Sequence, residues 1–223
     1  MIELPRTRAS AAWTVPMLCA LLPLLATTVA WSLSVRGGWI EPCNPFWDGC
    51  TSISRAARHG AGNAVFKALV LPAAALQGLF WLRCSRWLAA GGRGGGPAVA
   101  ALGVLAALAL ALYATFLGSE GDIYRTLRRY GVTVYFASTY LALLLGLRGL
   151  ARPPADRAAP ALRGIAVVML LLGLASTAVS AAGLDGDLRD RIGNALEWQL
   201  GVWLTAMFAV FAWRWRDRDA GAA

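Results

Sequence analysis

The chain has 223 residues, of which 58% are hydrophobic and only 15% charged, and its mean hydropathy is +0.56. A soluble domain carries about a quarter charged residues, so this composition excludes an ordinary water-soluble domain and points to a membrane. The net charge of +9 does not indicate nucleic acid either. The arginines stand in short clusters between apolar runs, a pattern of membrane topology and not of a phosphate-tracking stripe.

After a short polar start with Arg6 and Arg8, residues 11–33 form an apolar run. It is longer than a signal-peptide h-region and ends in Trp31-Ser-Leu-Ser without a small-x-small cleavage site, so a cleaved signal is the lesser reading. About 20 apolar residues span a bilayer, and a first transmembrane helix is expected here, bent at Pro16 and Pro23. The polar stretch 34–60 follows, with Cys43, Cys50 and the only histidine, His59. Span two, 61–82, carries the only lysine, Lys67; Arg83, Arg86 and the glycine-rich linker 91–96 then turn the chain back. Span three, 97–117, is the most apolar. A polar connection, 118–131, holds Glu120, Asp122, Arg125, Arg128 and Arg129 before span four, 132–150, which Arg148, Arg152, Pro153 and Pro154 close. Arg163 precedes span five, 164–182, and the acidic connection 184–193 leads to span six, 194–213. The expected fold is therefore all-α, a single integral membrane domain over residues 1–223 built as a six-transmembrane-helix bundle.

Lysine and arginine set orientation. With both termini cytoplasmic, that side holds twelve of the 21 basic residues, and loops 34–60, 118–131 and 184–193 lie on the outer side. Cys43 and Cys50 then face an oxidising space at a spacing short enough to bridge. They read as a staple and not as a redox pair, because there is no Cys-x-x-Cys and no second pair beside them to relay electrons.

Chemistry has few other places to sit. In Ser52-Ile-Ser54-Arg55-x-x-Arg58-His59, a histidine beside hydroxyls invites a catalytic reading, which needs nucleophile, base and carboxylate to converge. The competing readings are arginines that snorkel or pair with loop carboxylates, and arginines that hold an anionic head group. Arg55, Arg58, Arg125, Arg128 and Arg129 suit the last, since guanidinium binds phosphate bidentately. One histidine gives no support to a catalytic zinc or a bis-histidine haem, so no metal and no cofactor is expected; Asp-Gly-Asp alone is too common to claim Ca²⁺. Lys67 and Glu197 fall about one turn inside their spans, where a charge needs a partner or a watery cavity. They could pair with each other, or Glu197 could take Arg58. Glu120-Gly-Asp-Ile and Asp185-Gly-Asp-Leu echo one another, with Asp122 and Asp187 as expected helix caps. Nine tryptophans (13, 31, 39, 47, 81, 87, 198, 213 and 215) lie near span ends and read as an interfacial belt. Gly103, Gly173, Ala175 and Ser176 read as points of close helix approach.

Ser52-Ile53-Ser54 after the first span, Arg58-His-Gly-x-Gly-Asn-x-x-Phe66 running into the second, and Asn194-Ala-Leu-Glu197-Trp198 opening the last resemble the Frag/DRAM/Sfk superfamily. Cys50-Thr51 stands where members commonly have Leu-Pro. The resemblance implies six helices and lipid-linked biology, since the superfamily includes autophagy modulators and a protein needed for lipid remodelling of GPI anchors. It carries over no catalytic residue. The expected function is a non-catalytic or accessory membrane protein that binds or organises lipid at the outer leaflet, with membrane lipids as partners. Its polar site is expected to hold Ser52, Ser54, Arg55, Arg58, His59, Lys67, Glu120, Asp122, Arg125 and Glu197. The alternatives are an acyltransferase or hydrolase acting on a lipid head group, with His59 and Glu197 as its candidate catalytic residues, and a small transporter.

Overall fold

The structure, a computed structural model, describes residues 11–152 and 155–221, with side chains through Asp217. Arg6, Arg8, Pro153 and Pro154 lie outside the described residues. Every regular element among those described is a helix: α1 (Thr14–Arg36), α2 (Ile53–Ala56), α3 (Gly60–Ala90), α4 (Gly96–Phe116), α5 (Asp122–Leu150), α6 (Ala159–Ala181) and α7 (Gly186–Gly221). All but the single turn α2 are long and apolar enough to cross a membrane, and this is a multi-pass membrane protein.

The helices overrun the expected spans. Connection 118–131 is helical from Asp122, and 184–193 is helical from Gly186. At 1.5 Å per residue, the 29 residues of α5 reach roughly 43 Å against a hydrocarbon core of about 30 Å. The helix simply keeps its own hydrogen bonds beyond the lipid, with Asp122 in its first turn at the positive end of the dipole. The capping expectation is corrected accordingly. Gly121, and not Asp122, caps α5, while at α7 the Asp185 carboxylate accepts from the Asp187 amide at 3.1 Å. Pro16 sits in the first turn of α1, where its missing N–H costs nothing; Pro23 and Pro72 are the interior prolines of α1 and α3.

Two helices end in the same way. After α1, the Trp39 amide donates to Ser34 and the Gly38 amide to Val35, with Gly38 at φ 72°. After α3, Arg93 donates to Leu88 and Gly92 to Ala89. Both are Schellman closures that need a left-handed residue.

Around the bundle the order is α5, α4, α3, α1, α7, α6, and only a weak α6–α5 contact closes the ring. Small residues set the tight seams. A methyl added at Gly62 would stand 3.0 Å from the Ala30 carbonyl of α1, and one at Gly131 would stand 3.2 Å from the Ala109 carbonyl of α4. One at Gly103 would run into Trp81. Gly173 is different from what the sequence suggests, because nothing lies within reach of it. The first half of α6 buries Leu162, Ile165, Ala166 and Met169, whereas Leu170, Leu171 and Leu174 face outward. Burial along α6 is thus concentrated in its first half, and its contact with α5 is slight.

The tryptophan belt is also only partial. Trp39, Trp47 and Trp213 are exposed, but Trp81, Trp198 and Trp215 are buried inside the bundle. Trp81 and Trp215 join Phe80, Phe208 and Phe211 in an aromatic cluster that ties α3 to α7, with Phe80 rings 5.1 Å from both Phe208 and Phe211. Near that end of the bundle, where α1 begins and α7 ends, the connection between α5 and α6 buries Asp156. Its carboxylate takes Arg214 Nε at 2.7 Å, the Ala158 amide at 3.0 Å and Arg93 at 3.6 Å.

Candidate functional site

The opposite end carries a cap, residues 37–59, pinned to the first turns of α7. Cys43 and Cys50 are joined, as expected from their spacing. Gly49 takes φ 59° and passes so close to the Arg191 backbone that no side chain fits. From there α7 reads the cap backbone residue by residue. Arg191 Nε donates to the Asp48 carbonyl at 3.0 Å, Asn194 to Gly49 at 2.8 Å, Trp198 Nε1 to Thr51 at 2.9 Å and Gln199 to Phe46 at 3.2 Å. In return the Ile53 amide donates to Glu197 Oε1 at 3.1 Å. Buried backbone groups must find partners, and here the side chains of one helix supply them. The cap reaches the other helices too: Ser34 of α1 donates to the Ala56 carbonyl at 2.6 Å, and Asn63 of α3 donates to both Ala57 and Leu117. The stretches that carry the superfamily resemblance therefore meet one another, Ser52-Ile53-Ser54 against Asn194-x-x-Glu197-Trp198.

The expected site residues separate into two groups. Ser54, Arg58, Arg125 and Glu197 line one cleft, together with Arg128 and Arg129. The others point elsewhere. Ser52 caps α2 by accepting from the Arg55 amide at 3.1 Å. Arg55 is exposed, although its charge acts on Glu197. His59 is exposed and stacks on Trp39 at 4.7 Å between ring centroids, lining neither the cleft nor the cavity behind it. Lys67 is half-buried, and no ion pair joins it to Glu197. Glu120 is exposed, and Asp122 pairs with Arg125 at 3.4 Å on the exposed side. His59 and Glu197, the candidate base and its partner, thus serve different neighbours.

The cleft opens between α5 on one side and the second half of α6 with α7 on the other, and has a volume of about 380 Å³. Its upper wall is cationic. Arg128 is held in place by donating to the Phe116 and Ser119 carbonyls, and the charges of Arg58 and Arg125 act on it. Arg58 and Arg129 have no carboxylate partner among the described residues. The lower wall is apolar, with Val132, Phe136, Leu172, Leu196 and Leu200. Behind it lies a second, narrower cavity of about 90 Å³ between α1, α3, α4, α5 and α7, lined by side chains such as Leu24, Phe66, Val70, Leu110 and Val202. Four residues, Tyr113, Val132, Phe136 and Glu197, border both.

No family model, curated protein or solved structure matches the chain.

The sequence groups Arg128 and Arg129 with Arg58 as suited to an anionic head group, yet the expected polar site left both out, and both line the cleft. Sequence reasoning also passed over Asp156, whose signal was available: it is the only acidic residue between spans four and five.

Proposed function

We propose that this protein binds an anionic phospholipid in the cleft between α5 and α7, as a non-catalytic lipid-binding or lipid-organising membrane protein of Frag/DRAM/Sfk type. The cap faces the outer leaflet and both termini are cytoplasmic. The observation that carries this reading is the convergence of Arg58, Arg125, Arg128 and Arg129 above an apolar wall that is open sideways. Guanidinium groups left without carboxylates at the level of lipid head groups are suited to phosphate, which they bind in bidentate fashion. The resemblance in Ser52-Ile-Ser54 and Asn194-x-x-Glu197-Trp198 points to the same lipid-linked biology. A hydrolase or acyltransferase would need His59 turned toward the cleft, and it is stacked on Trp39 instead.

The test is lipid retention by native mass spectrometry on the purified protein, offered phosphatidate and phosphatidylcholine. Wild type is expected to retain phosphatidate preferentially. The double variant Arg58→Gln, Arg129→Gln is expected to lose at least about tenfold in that retention, since charged hydrogen bonds contribute about 1.5–3 kcal/mol each. Arg189→Gln, at an exposed position paired with Asp190, is expected to behave as wild type. Equal retention by all three proteins would overturn the reading.

A further inference from the structure

We infer that the cleft and the cavity behind it are a single site for an amphiphile, in which the arginines hold the phosphate of a phospholipid while one of its acyl chains leaves the bilayer and runs into the inner cavity. This rests on the anionic-lipid reading above and adds the fate of the chain.

Three observations lead to it. The two spaces adjoin across a wall only one layer of side chains thick, formed by Tyr113, Val132, Phe136 and Glu197. A molecule with its phosphate among the arginines therefore has the inner cavity directly beneath it. The inner cavity also offers hydrocarbon and little else. Thr27 and Thr28 give their hydroxyl protons to carbonyls of their own helix, Thr205 donates to Val202, and Trp198 donates to Thr51. Glu197 is engaged with the Ile53 amide. Beyond these, the polar groups on its lining are the Tyr113 and Tyr135 hydroxyls, and so largely apolar a space favours hydrocarbon over water. Finally, the cleft is apolar on its membrane side: α6 touches α5 only weakly, and Leu172, Leu196 and Leu200 line the cleft between them.

The charges fit one phosphate. Four guanidinium groups are set against Glu197, which stands at the boundary of the two spaces, and Asp122, which pairs with Arg125. Two positive charges remain in excess, enough for a phosphate monoester or diester. Burying one acyl chain is favourable because filling an empty apolar cavity recovers dispersion contacts that its walls otherwise lack.

Gly201 of α7 allows the chain to be tested apart from the head group. It lines the inner cavity and not the cleft, and the only atom close to an added Cβ is the flexible end of Ile53, at 3.3 Å. Leucine is a better helix former than glycine, so Gly201→Leu adds bulk inside the cavity without an intrinsic cost to the helix. The experiment compares wild type, Gly201→Leu and Arg58→Gln/Arg129→Gln for retention of dioleoyl and dihexanoyl phosphatidate. The expected result is that Gly201→Leu loses the long-chain lipid by about tenfold while holding the short-chain one like wild type, and that the arginine variant loses both. Should Gly201→Leu hold the long-chain lipid as wild type does, while the arginine variant loses it, the chain stays in the bilayer; the inference falls and the anionic-lipid reading stands. Retention unchanged in both variants overturns both. Wild type alone gives a second readout that requires no variant to fold. Across saturated phosphatidates of increasing chain length, a chain held in a cavity of limited volume gives an optimum, and a steady rise with length overturns the inference.

Discussion

Asp156 shows what a single side chain does at the terminus end. Its carboxylate is 2% exposed and holds Arg214 and Arg93 from two different segments, with the Ala158 amide as a third partner. Taking one member away from such a buried group strands the others, at a cost of about 3–5 kcal/mol; Asp156→Asn is expected to lower stability by about 3 kcal/mol, because the amide keeps some hydrogen bonding but no charge. The pH dependence follows from the same contacts. Burial pushes the carboxyl upward, but the hydrogen bonds from Arg214 and Ala158 and the nearby charges of Arg214 and Arg93 outweigh it, leaving Asp156 below the usual carboxylate range. A lowered native value means that the unfolded chain binds the proton more readily. The stabilisation is complete above the unfolded value of about 3.9 and disappears as pH falls through the lower native one. Thermal unfolding in detergent should therefore separate wild type from Asp156→Asn by a constant margin down to about pH 5, and the margin should shrink below about pH 4. A margin that survived in acid would mean that packing, and not charge, is what Asp156 supplies.

Among the elements, α7 does the most. Its apolar half crosses the membrane, and its first four turns serve as a rack of donors and acceptors for the cap. Glu197 is the informative position. Glu197→Ala leaves the Ile53 amide without its acceptor, which should cost about 1–3 kcal/mol, and hydrogen exchange should rise across residues 44–58. Glu197→Gln keeps an oxygen in place and should change exchange little; equal effects from both variants would show that the contact depends on the charge. This role could not be seen in the sequence. A carboxylate one turn inside a span invites an ionic partner such as Lys67, and nothing in the spacing shows that the partner is instead a backbone amide 144 residues earlier. The helix ends were hidden for a related reason. The charged residues of 122–131 and 186–193 look like loops, yet a helix that already forms its own hydrogen bonds has no cause to stop where the lipid stops. The six spans were legible because apolar runs of about 20 residues have one reading, and the Cys43–Cys50 bridge because the two thiols are close in sequence. The arginines were legible as a group suited to an anionic head group, but not that Arg55 stands outside the cleft that Arg58, Arg125, Arg128 and Arg129 share. The inner cavity was not legible at all: its walls are the same leucines, valines and aromatics that face lipid elsewhere.

At the scale of the whole molecule, the two ends have opposite character. The terminus end is closed by Asp156 and the aromatic cluster, and the cap end is open at the cleft between α5 and α6, where contact is slight. Which leaflet receives the arginine cleft therefore depends on orientation, and the basic residues favour the terminus side only by twelve to nine. The cysteines give the better argument, because a Cys43–Cys50 bridge persists only where the surroundings are oxidising. They also permit a clean measurement. Cys19 and Cys84 are buried and the other two are bonded, so wild type should give almost no background with a membrane-impermeant maleimide. Glu120→Cys, exposed at the cap end, should be labelled in intact cells. Arg216→Cys, exposed near the C-terminus, should be labelled only after the membrane is permeabilised. The reverse pattern would put the arginine cleft against the cytoplasmic leaflet. The disulfide would then stand in a reducing compartment, and the cap would have to hold its shape by the α7 hydrogen bonds alone.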